Sequence, residues 1–430
     1  MRKIIKKLHS IFGLVFAIPL ILIGITGALL SFRSEIVELL NPSVYNLKIG
    51  EKRLDTEFLV NKIATEFNAT VTAINIYDKE NKPLQITLLP KNGSENMRGI
   101  SVRVNPYTGE ILPDLVGQKF FGVVTALHRS LLPQMNRNSL STQIGRQVVA
   151  IATIFMILFS LTGLYLYYKP MVYNIKQAMK VDFKAKGKKF YYKLHAVFGV
   201  VLMLAFLIIS ITGLTWSYQW VRGTFYYFAG VQMPTMMHGA MQQNNAKNGE
   251  QRKFGNKQDQ GEERKGRTKR EQGEFDAQRT GQNNRQNQAK QNSQKPQQMG
   301  GKNGFPLDLS HVNRASELFK ENFEFKYFTI RSSDKRGIYT ISFMPKNSSH
   351  SRATNTAEYN FRSDKINIIS DYSSLKFGEK VVKSFLPLHT GEFFGLFFKI
   401  IFCFASAFIA VLAISGYLLW KKPKRKVINK

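Results

Sequence analysis

The first long apolar segment opens with the stretch Lys7-Leu8-His9-Ser10-Ile11-Phe12-Gly13, and the third opens with Lys193-Leu194-His195-Ala196-Val197-Phe198-Gly199. The two segments match without a gap at a constant offset, as far as Ile25-Thr26-Gly27 and Ile211-Thr212-Gly213. The second and fourth apolar segments follow Leu127-His128 and Leu388-His389. Each of the four segments therefore has a histidine at one end, and the segments form a tandem repeat of two pairs.

The four apolar segments have the length of membrane-spanning helices, which need about 20 apolar residues. Residues 12–32, 148–168, 198–220 and 393–420 contain a single charged residue, Lys399. A cleaved signal peptide is disfavoured at the N-terminus, because the first apolar run is longer than the roughly 7–15 residues of a signal-peptide core. The sequence therefore predicts a mainly α-helical membrane protein with four transmembrane helices.

The distribution of positive charge indicates how these helices are oriented. The net charge is +32, and lysines are concentrated at the N-terminus, between residues 169 and 193, and in the tail from residue 421. Short loops rich in lysine and arginine remain in the cytoplasm. We therefore predict that both termini are cytoplasmic and that residues 33–125 and 221–388 lie outside. Orientation accounts for much of the charge, and no nucleic-acid partner is expected.

The two external segments have similar patterns of secondary structure. Residues 56–67 and 312–323 are predicted to be helical, and each helix precedes several short strands. The strands are predicted at residues 71–77, 84–89 and 100–104, and near 326–331, 338–343, 358–362 and 366–369. Two small α+β domains are therefore expected. Residues 242–303 are predicted to be disordered, because they contain almost no aliphatic side chains.

The complete predicted division of the chain alternates membrane helices with soluble segments. It comprises a cytoplasmic N-terminus (1–11), the first membrane helix (12–32), the first external domain (33–125), an interfacial segment with His128 (126–143), the second membrane helix (144–168), a cytoplasmic loop (169–193), the third membrane helix (194–220), the second external domain with its insertion (221–388), the fourth membrane helix (389–420) and a cytoplasmic tail (421–430). The inner ends of the second and fourth helices match, since Leu161-Thr162-Gly163 corresponds to Ile414-Ser415-Gly416. His128 precedes this motif by about eight more residues than His389 does, and a loop within residues 131–142 is expected to absorb the difference.

The predicted topology pairs the four histidines. His9 and His195 lie at the cytoplasmic edge, whereas His128 and His389 lie at the external edge. An imidazole is costly to bury in lipid, so a histidine at each membrane edge indicates a function. Paired imidazoles facing each other across a helical bundle best suit a haem iron that is ligated on both axial sides. We therefore expect a haem iron between the two histidines of each pair.

Glycines accompany the first and third histidines. In a straight helix Gly13 and Gly27 would share a face with His9, and Gly199 and Gly213 would repeat that arrangement around His195. Small residues let a macrocycle approach closely, although helix packing alone also explains glycines. The basic residues near the sites could pair with haem propionates or act as interfacial anchors; they are Lys7, Lys193 and Arg129.

Other chemistries are less well supported. The predicted spans contain no Asp or Glu, which disfavours zinc, non-haem iron and a proton relay. His238 lies within the methionine-rich residues 233–241, which could hold copper, and it could replace His128 or His389 as a ligand. His311 and His350 are predicted to be surface residues. The single cysteine, Cys403, excludes an intrachain disulfide. No nucleotide-binding motif is visible, so the chain is not expected to bind NADH or flavin itself.

Three motifs resemble a known family. Lys-Leu-His-x-x-Phe-Gly at His9 and His195, Leu127-His128-Arg129-Ser130-Leu131, and Leu388-His389-Thr390-Gly391-Glu392-Phe393-Phe394-Gly395 resemble the PepSY-associated transmembrane proteins. The resemblance covers nearly all of the chain except residues 242–303. The external segments resemble PepSY domains, most clearly at residues 102–110. The departures are the polar insertion, the longer loop after His128 and a diverged second module.

The resemblance implies a reductase of ferric siderophores in the inner membrane, with periplasmic external domains and a role in iron uptake. It implies that the four histidines ligate b-type haem, and that electrons pass from a flavin- or NAD(P)H-dependent cytoplasmic protein to the ferric siderophore. A competing interpretation is a PepSY scaffold or regulator that binds peptides or proteins and is not an enzyme. A third is a copper-linked reductase that uses residues 233–241.

Overall fold

The computed structural model describes residues 1–91, 99–133, 139–232 and 306–421. Three sequence predictions therefore lie outside the described residues. They are the methionine-rich cluster with His238, the disordered insertion at 242–303, and the cytoplasmic tail beyond residue 421.

Helices form most of the structure outside one β-sheet. In chain order they are α1 (Arg2–Val15), α2 (Ala17–Ser31), α3 (Arg33–Leu40), α4 (Pro42–Tyr45), α5 (Thr56–Glu66), α6 (Gln118–Ser130), α7 (Leu140–Tyr173), α8 (Ile175–Ala178), α9 (Gly187–Val201), α10 (Met203–Ser217), α11 (Gln219–Phe228), α12 (Val312–Asn322), α13 (Phe377–Lys383), α14 (Phe385–Thr390) and α15 (Leu396–Trp420). A short 3₁₀-helix, Glu392–Phe394, connects α14 to α15. The strands are β1 (Ala69–Tyr77), β2 (Leu84–Pro90), β3 (Ile100–Val104), β4 (Phe325–Ser332), β5 (Ile338–Pro345), β6 (Asn355–Asn360) and β7 (Lys365–Ser370).

Two single helices of the described residues, α7 and α15, are long and apolar enough to cross a membrane. The bent pairs α1–α2 and α9–α10 raise the number to four if each pair forms one span. α15 begins at Leu396 and not at residue 389, because Gly391 and Gly395 adopt φ values of 79° and 91°. These left-handed conformations end one helix before the next begins. His389 therefore lies on the separate short helix α14.

The first and third apolar segments are each broken at one residue. Phe16 and Leu202 occupy equivalent positions of the repeat, and their φ and ψ values are −95°, 5° and −90°, 0°. The chain bends by 65° at the first break and by 60° at the second. The expectation of one straight helix with Gly27 on the face of His9 is therefore wrong, whereas Gly13 lies on α1 with His9.

The apolar helices pack around a common core. Residues from all four apolar segments form one buried cluster: Leu20, Ala152, Met156, Leu202, Ala205, Phe206, Phe402, Ala405 and Ile409. α2 packs closely against α15, where Ser406 Oγ donates a hydrogen bond of 3.1 Å to the carbonyl oxygen of Gly24. A Cβ at Gly24 would lie 2.5 Å from the Ser406 carbonyl oxygen. Small residues therefore set the spacing of the bundle.

The strands of residues 33–125 and 306–388 form a single sheet and not two. All seven strands pair antiparallel in the order β3-β2-β1-β4-β5-β6-β7. The junction is the β1–β4 pair, in which Ile74 lies opposite Ile330, and both side chains are fully buried. α5 and α12 contribute Leu59, Ile63 and Phe319 to the same core. The predicted strands are present, but they do not form two modules with separate cores. Separate modules would leave backbone N–H and C=O groups unpaired along one edge of β1 and of β4, and the β1–β4 pairing provides partners for both edges.

Candidate functional site

The structure brings His9 and His195 together. His9 lies on α1 and His195 on α9, and the centres of their rings are 6.2 Å apart with planes inclined by 77°. Both side chains are partly buried. Phe159 of α7 contacts the ring of His9 edge-on at 5.3 Å. This arrangement is termed the inner pair.

His128 and His389 form a second pair with the same spacing. Their ring centres are also 6.2 Å apart, and their planes are inclined by 70°. His128 lies on α6 and His389 on α14, two short helices that precede α7 and α15. Trp216 of α10 contacts the ring of His389 edge-on at 5.4 Å. This arrangement is termed the outer pair.

Each of the four histidines is held at Nδ1 by a hydroxyl group of a neighbouring helix. The Nδ1 to oxygen distances are 2.8 Å for His9 and Thr162, 3.1 Å for His128 and Thr26, 3.1 Å for His195 and Ser415, and 3.1 Å for His389 and Thr212. Three of the histidines also have a backbone carbonyl oxygen near Nδ1, from Ile23, Leu412 and Ile209, at 2.9 to 3.0 Å. One local geometry is therefore used four times.

The hydroxyl groups determine which ring nitrogen carries the proton. Thr162 Oγ1 donates its hydrogen to the carbonyl oxygen of Leu158 at 2.6 Å, one turn back in its own helix. The other three hydroxyls donate to their own helices in the same way. Because each hydrogen is already donated, each hydroxyl oxygen accepts from Nδ1–H of the histidine. Nε2 of every histidine is then unprotonated and has the lone pair that a metal requires.

A glycine follows each of these hydroxyl residues and lies against the imidazole. A Cβ added to Gly27 or Gly213 would lie 3.1 or 3.2 Å from Cε1 of His128 or His389. A Cβ added to Gly416 or Gly163 would lie 3.4 or 3.8 Å from Cε1 of His195 or His9. Gly27 and Gly213 were expected beside His9 and His195, but the bends place them beside the outer pair. A Cβ added to Gly13 or Gly199 would have no contacting atom within 4 Å.

The hydroxyl partners of the four histidines were not predicted from the sequence; they are Thr26, Thr162, Thr212 and Ser415. A recognisable signal exists, because a Thr-Gly or Ser-Gly dipeptide occurs once in each of the four apolar segments. The dipeptide is a contact surface for one histidine, with the hydroxyl binding Nδ1 and the glycine leaving room for the ring.

The basic residues near the pairs have different surroundings. Arg129 follows His128 on α6 and is exposed, as is Lys7 on α1. Lys193 instead donates hydrogen bonds to the carbonyl oxygens of Gln177 and Ala178, at 3.1 and 3.2 Å. Lys193 therefore fastens the loop after α7 to α9.

The arrangement of the chain can be compared with known proteins. The family model for the PepSY-associated TM region matches residues 6–422, which is nearly the whole chain. The chain belongs to the PepSY-associated TM family. No curated protein matches the sequence. The family assignment makes this a membrane protein, in agreement with the apolar helices.

The ligand set of this PepSY-associated TM protein restricts which metal would fit. Among the described residues, no three His, Cys, Asp or Glu side chains converge on one point. Each pair thus offers two imidazoles, and a macrocycle would have to supply the remaining ligands, as in haem. Two nitrogens bonded to one metal at about 2 Å each place the ring centres about 6 Å apart. The observed spacing of 6.2 Å in both pairs fits this requirement.

His350 of the PepSY-associated TM protein is not the surface residue that was predicted, since only 3% of it is exposed. Its Nε2 lies 2.9 Å from Tyr372 Oη and 3.2 Å from Ser384 Oγ. Nδ1 accepts a hydrogen bond of 3.1 Å from the backbone N–H of Arg352. Burial lowers the pKa of His350, although the charge of Glu392 opposes the shift. His350 therefore ties the β5–β6 loop to the start of α14, which carries His389.

Proposed function

We propose that this protein is a b-type haem-containing reductase of the inner membrane, which carries electrons from a cytoplasmic donor to an external acceptor. The proposed acceptor is a ferric siderophore, and the proposed role is iron acquisition. One observation carries the proposal: the two histidine pairs have equal spacing, and all four Nδ1 atoms are held by a hydroxyl group.

His9 and His195 would hold the inner haem, and His128 and His389 the outer one. Haem iron, when bound, accepts and releases single electrons. The chain's own contribution is to orient each imidazole through Thr or Ser and to keep Nε2 unprotonated. Fixing the ring in this way raises the basicity of a ligating histidine, because its Nδ1–H is already hydrogen bonded.

The positions of the pairs support transfer across the membrane. Thr212 on α10 contacts His389 of the outer pair and follows His195 of the inner pair by 17 residues. The helices α9 and α10 that connect these two residues are bent by 60°. At a rise of about 1.5 Å per residue the two pairs lie about 20 Å apart. This separation spans most of a hydrocarbon layer about 30 Å thick. A carrier near each face would shorten the path of the electron.

The direction of transfer follows from the proposed orientation. The lysine-rich loop between α7 and α9 and the basic N-terminus would be cytoplasmic. The seven-stranded sheet would be periplasmic, next to the outer pair. A separate flavin- or NAD(P)H-dependent protein would then reduce the inner site. At the outer site, reduction of Fe(III) to Fe(II) weakens its binding to hard oxygen ligands and releases the iron from its chelator.

The test is the oxidised-minus-reduced absorption spectrum of the full chain purified in detergent, with haem measured per protein. We expect two b-type haems, with about one lost in each of two variants, His9→Ala and His389→Ala. His311→Ala is the matched control, because His311 stacks on Phe361 in the sheet region with ring centres 4.3 Å apart. The control should retain the full haem content.

The same preparation distinguishes the competing functions. Protein that remains colourless after expression with ample haem would overturn the reductase proposal and favour a scaffold or regulator that binds peptides or proteins. Copper that co-purifies with the protein, and is lost when the methionines of residues 233–241 are replaced, would favour a copper-linked reductase.

A further inference from the structure

The sheet region contains a cavity of about 560 Å³ to which both external segments contribute. Its walls come from the chain before α5, the β1–β2 hairpin and α12. Cavities of about 300–1,000 Å³ are typical of small-molecule sites. The cavity is distinct from both histidine pairs, since no histidine lines it.

The base and the rim of the cavity differ in polarity. Apolar side chains at the base include Leu59, Ile76 and Leu84, each of which is almost fully buried. Four cations line the cavity: Lys52, Arg53, Lys82 and Lys320. Two acidic residues, Asp55 and Glu317, also line it. The cations therefore outnumber the acids by two.

The acidic side chain of Asp55 is already used within the protein. Its Oδ1 accepts a hydrogen bond of 2.8 Å from the backbone N–H of Phe58 and caps α5. Its Oδ2 accepts a hydrogen bond from Nδ2 of Asn313 on α12. Both carboxylate oxygens are thus committed to joining α5 and α12, so Asp55 is poorly placed to bind a ligand cation.

Among the cations, Lys82 is neutralised and Arg53 is fixed in orientation. Lys82 forms an ion pair of 2.5 Å with Glu38 of α3. The guanidinium group of Arg53 donates to the carbonyl oxygen of Glu80 at 2.9 Å, and it lies over the ring of Tyr107 at 5.7 Å. Its Nε and Nη2 already donate within the protein, so Nη1 is the nitrogen left to bind a carboxylate or phosphate.

Lys320 has no ion-pair or hydrogen-bond partner among residues 1–91, 99–133, 139–232 and 306–421. Desolvation lowers the pKa of Lys320, as does the nearby charge of Arg53, although the charge of Glu317 opposes the shift. Lys320 and Arg53 thus repel each other at the rim, and the charge of Glu317 offsets this repulsion only in part. An anionic ligand between them would relieve this repulsion.

We propose that this cavity binds a small soluble molecule that carries carboxylate or phosphate groups. Its anionic groups would lie between Arg53 and Lys320, and its apolar part would lie over Leu59 and Ile76. The proposal is independent of electron transfer, since it requires neither histidine pair. It adds a recognition site to the sheet region.

The test is isothermal titration calorimetry of the full-length protein in detergent, with citrate and inorganic pyrophosphate as probes and glucose as the neutral control. At least one anion should bind, and its affinity should fall as the salt concentration rises. Lys320→Gln should weaken binding about fivefold. The matched control is Lys365→Gln, which removes an exposed lysine of β7 that does not line the cavity and should leave the affinity unchanged.

Thermal unfolding of both variants establishes that they are folded, and Arg53→Gln gives a second independent loss of affinity. Stronger binding of citrate than of pyrophosphate would identify the ligand class as carboxylate, and the reverse would identify it as phosphate. Absence of binding by both anions, or an equal loss of affinity in Lys320→Gln and Lys365→Gln, would overturn the proposal.

Discussion

Replacing Thr162 by valine should weaken haem binding at the inner pair. Valine keeps the shape of threonine and removes its hydroxyl, which lies 2.8 Å from Nδ1 of His9. No other partner of this nitrogen occurs among the described residues. In the variant, His9 is free to rotate and to place its proton on Nε2, where the proton would block ligation.

The size of the effect follows from the partners that remain. Loss of a group that orients a metal-ligating histidine typically costs about 10–100-fold in affinity. His9 has a single Nδ1 partner, so we expect at least a tenfold loss, which corresponds to about 1.4 kcal/mol. His128 would retain the carbonyl oxygen of Ile23 at 3.0 Å after Thr26→Val. For Thr26→Val we therefore expect only about a threefold loss at the outer pair.

The assay is a titration of haem-free protein with haem, followed by absorption. The titration of Thr162→Val is made in a His389→Ala background, so that the inner pair alone is measured. Thr153→Val is the matched control, because Thr153 lies on the same helix and its hydroxyl donates only to the Val149 carbonyl oxygen, at 2.8 Å. If Thr162→Val and Thr153→Val bind haem equally well, the hydroxyl does not orient His9 and the reasoning is refuted.

Three further predictions concern stability and are measured by unfolding in detergent. Gly27→Ala should lower the free energy of unfolding by about 1–3 kcal/mol, because the added Cβ would lie 2.7 Å from a hydroxyl of α15. The control is Gly13→Ala, whose added Cβ would have no atom within 4 Å and should be tolerated. Equal losses of stability in the two variants would contradict this prediction. Glu35→Gln should cost about 1 kcal/mol, because it removes the ion-pair partner of Lys399, whose side chain is 9% exposed. Burial alone would raise the pKa of Glu35, but its hydrogen bond with Lys399 lowers it below the usual value. The stabilisation is therefore present at neutral pH and disappears as the pH falls through the lowered pKa, so a difference from wild type that persists in acid would contradict the ion pair. Ile330→Ala should lower the free energy of unfolding by about 2–5 kcal/mol, because Ile330 is fully buried at the β1–β4 junction. A smaller loss of stability would mean that the junction does not belong to the core.

Local patterns in the sequence predicted most elements of the fold. Helix α5 was expected at residues 56–67 and occupies Thr56–Glu66, and β3 has the predicted bounds, Ile100–Val104. These elements depend on side-chain periodicity, which is a local property. Periodicity did not predict the bends at Phe16 and Leu202, because the sequence is apolar on both sides of each bend.

Long-range features escaped prediction for the same reason. The joining of β1 to β4 depends on two edges meeting in space, and each strand has the same pattern whether or not its edge is covered. His350 has no unusual neighbours in sequence, and its burial results from the approach of Tyr372 and Ser384. The histidine pairs were easier to predict, because each histidine occupies an equivalent position in a repeat. That they bind haem is still a prediction.

The β1–β4 junction has a consequence for synthesis of the chain. Asn75 and Thr329 are neighbours in the sheet, although 254 residues separate them in sequence. At about 5–20 residues per second, a ribosome needs on the order of 10–50 s to make the second strand after the first. Throughout that interval one edge of β1 is without its partner, and such an edge can pair with another chain. Slower translation would lengthen that interval, and a chain truncated before β4 should aggregate through β1.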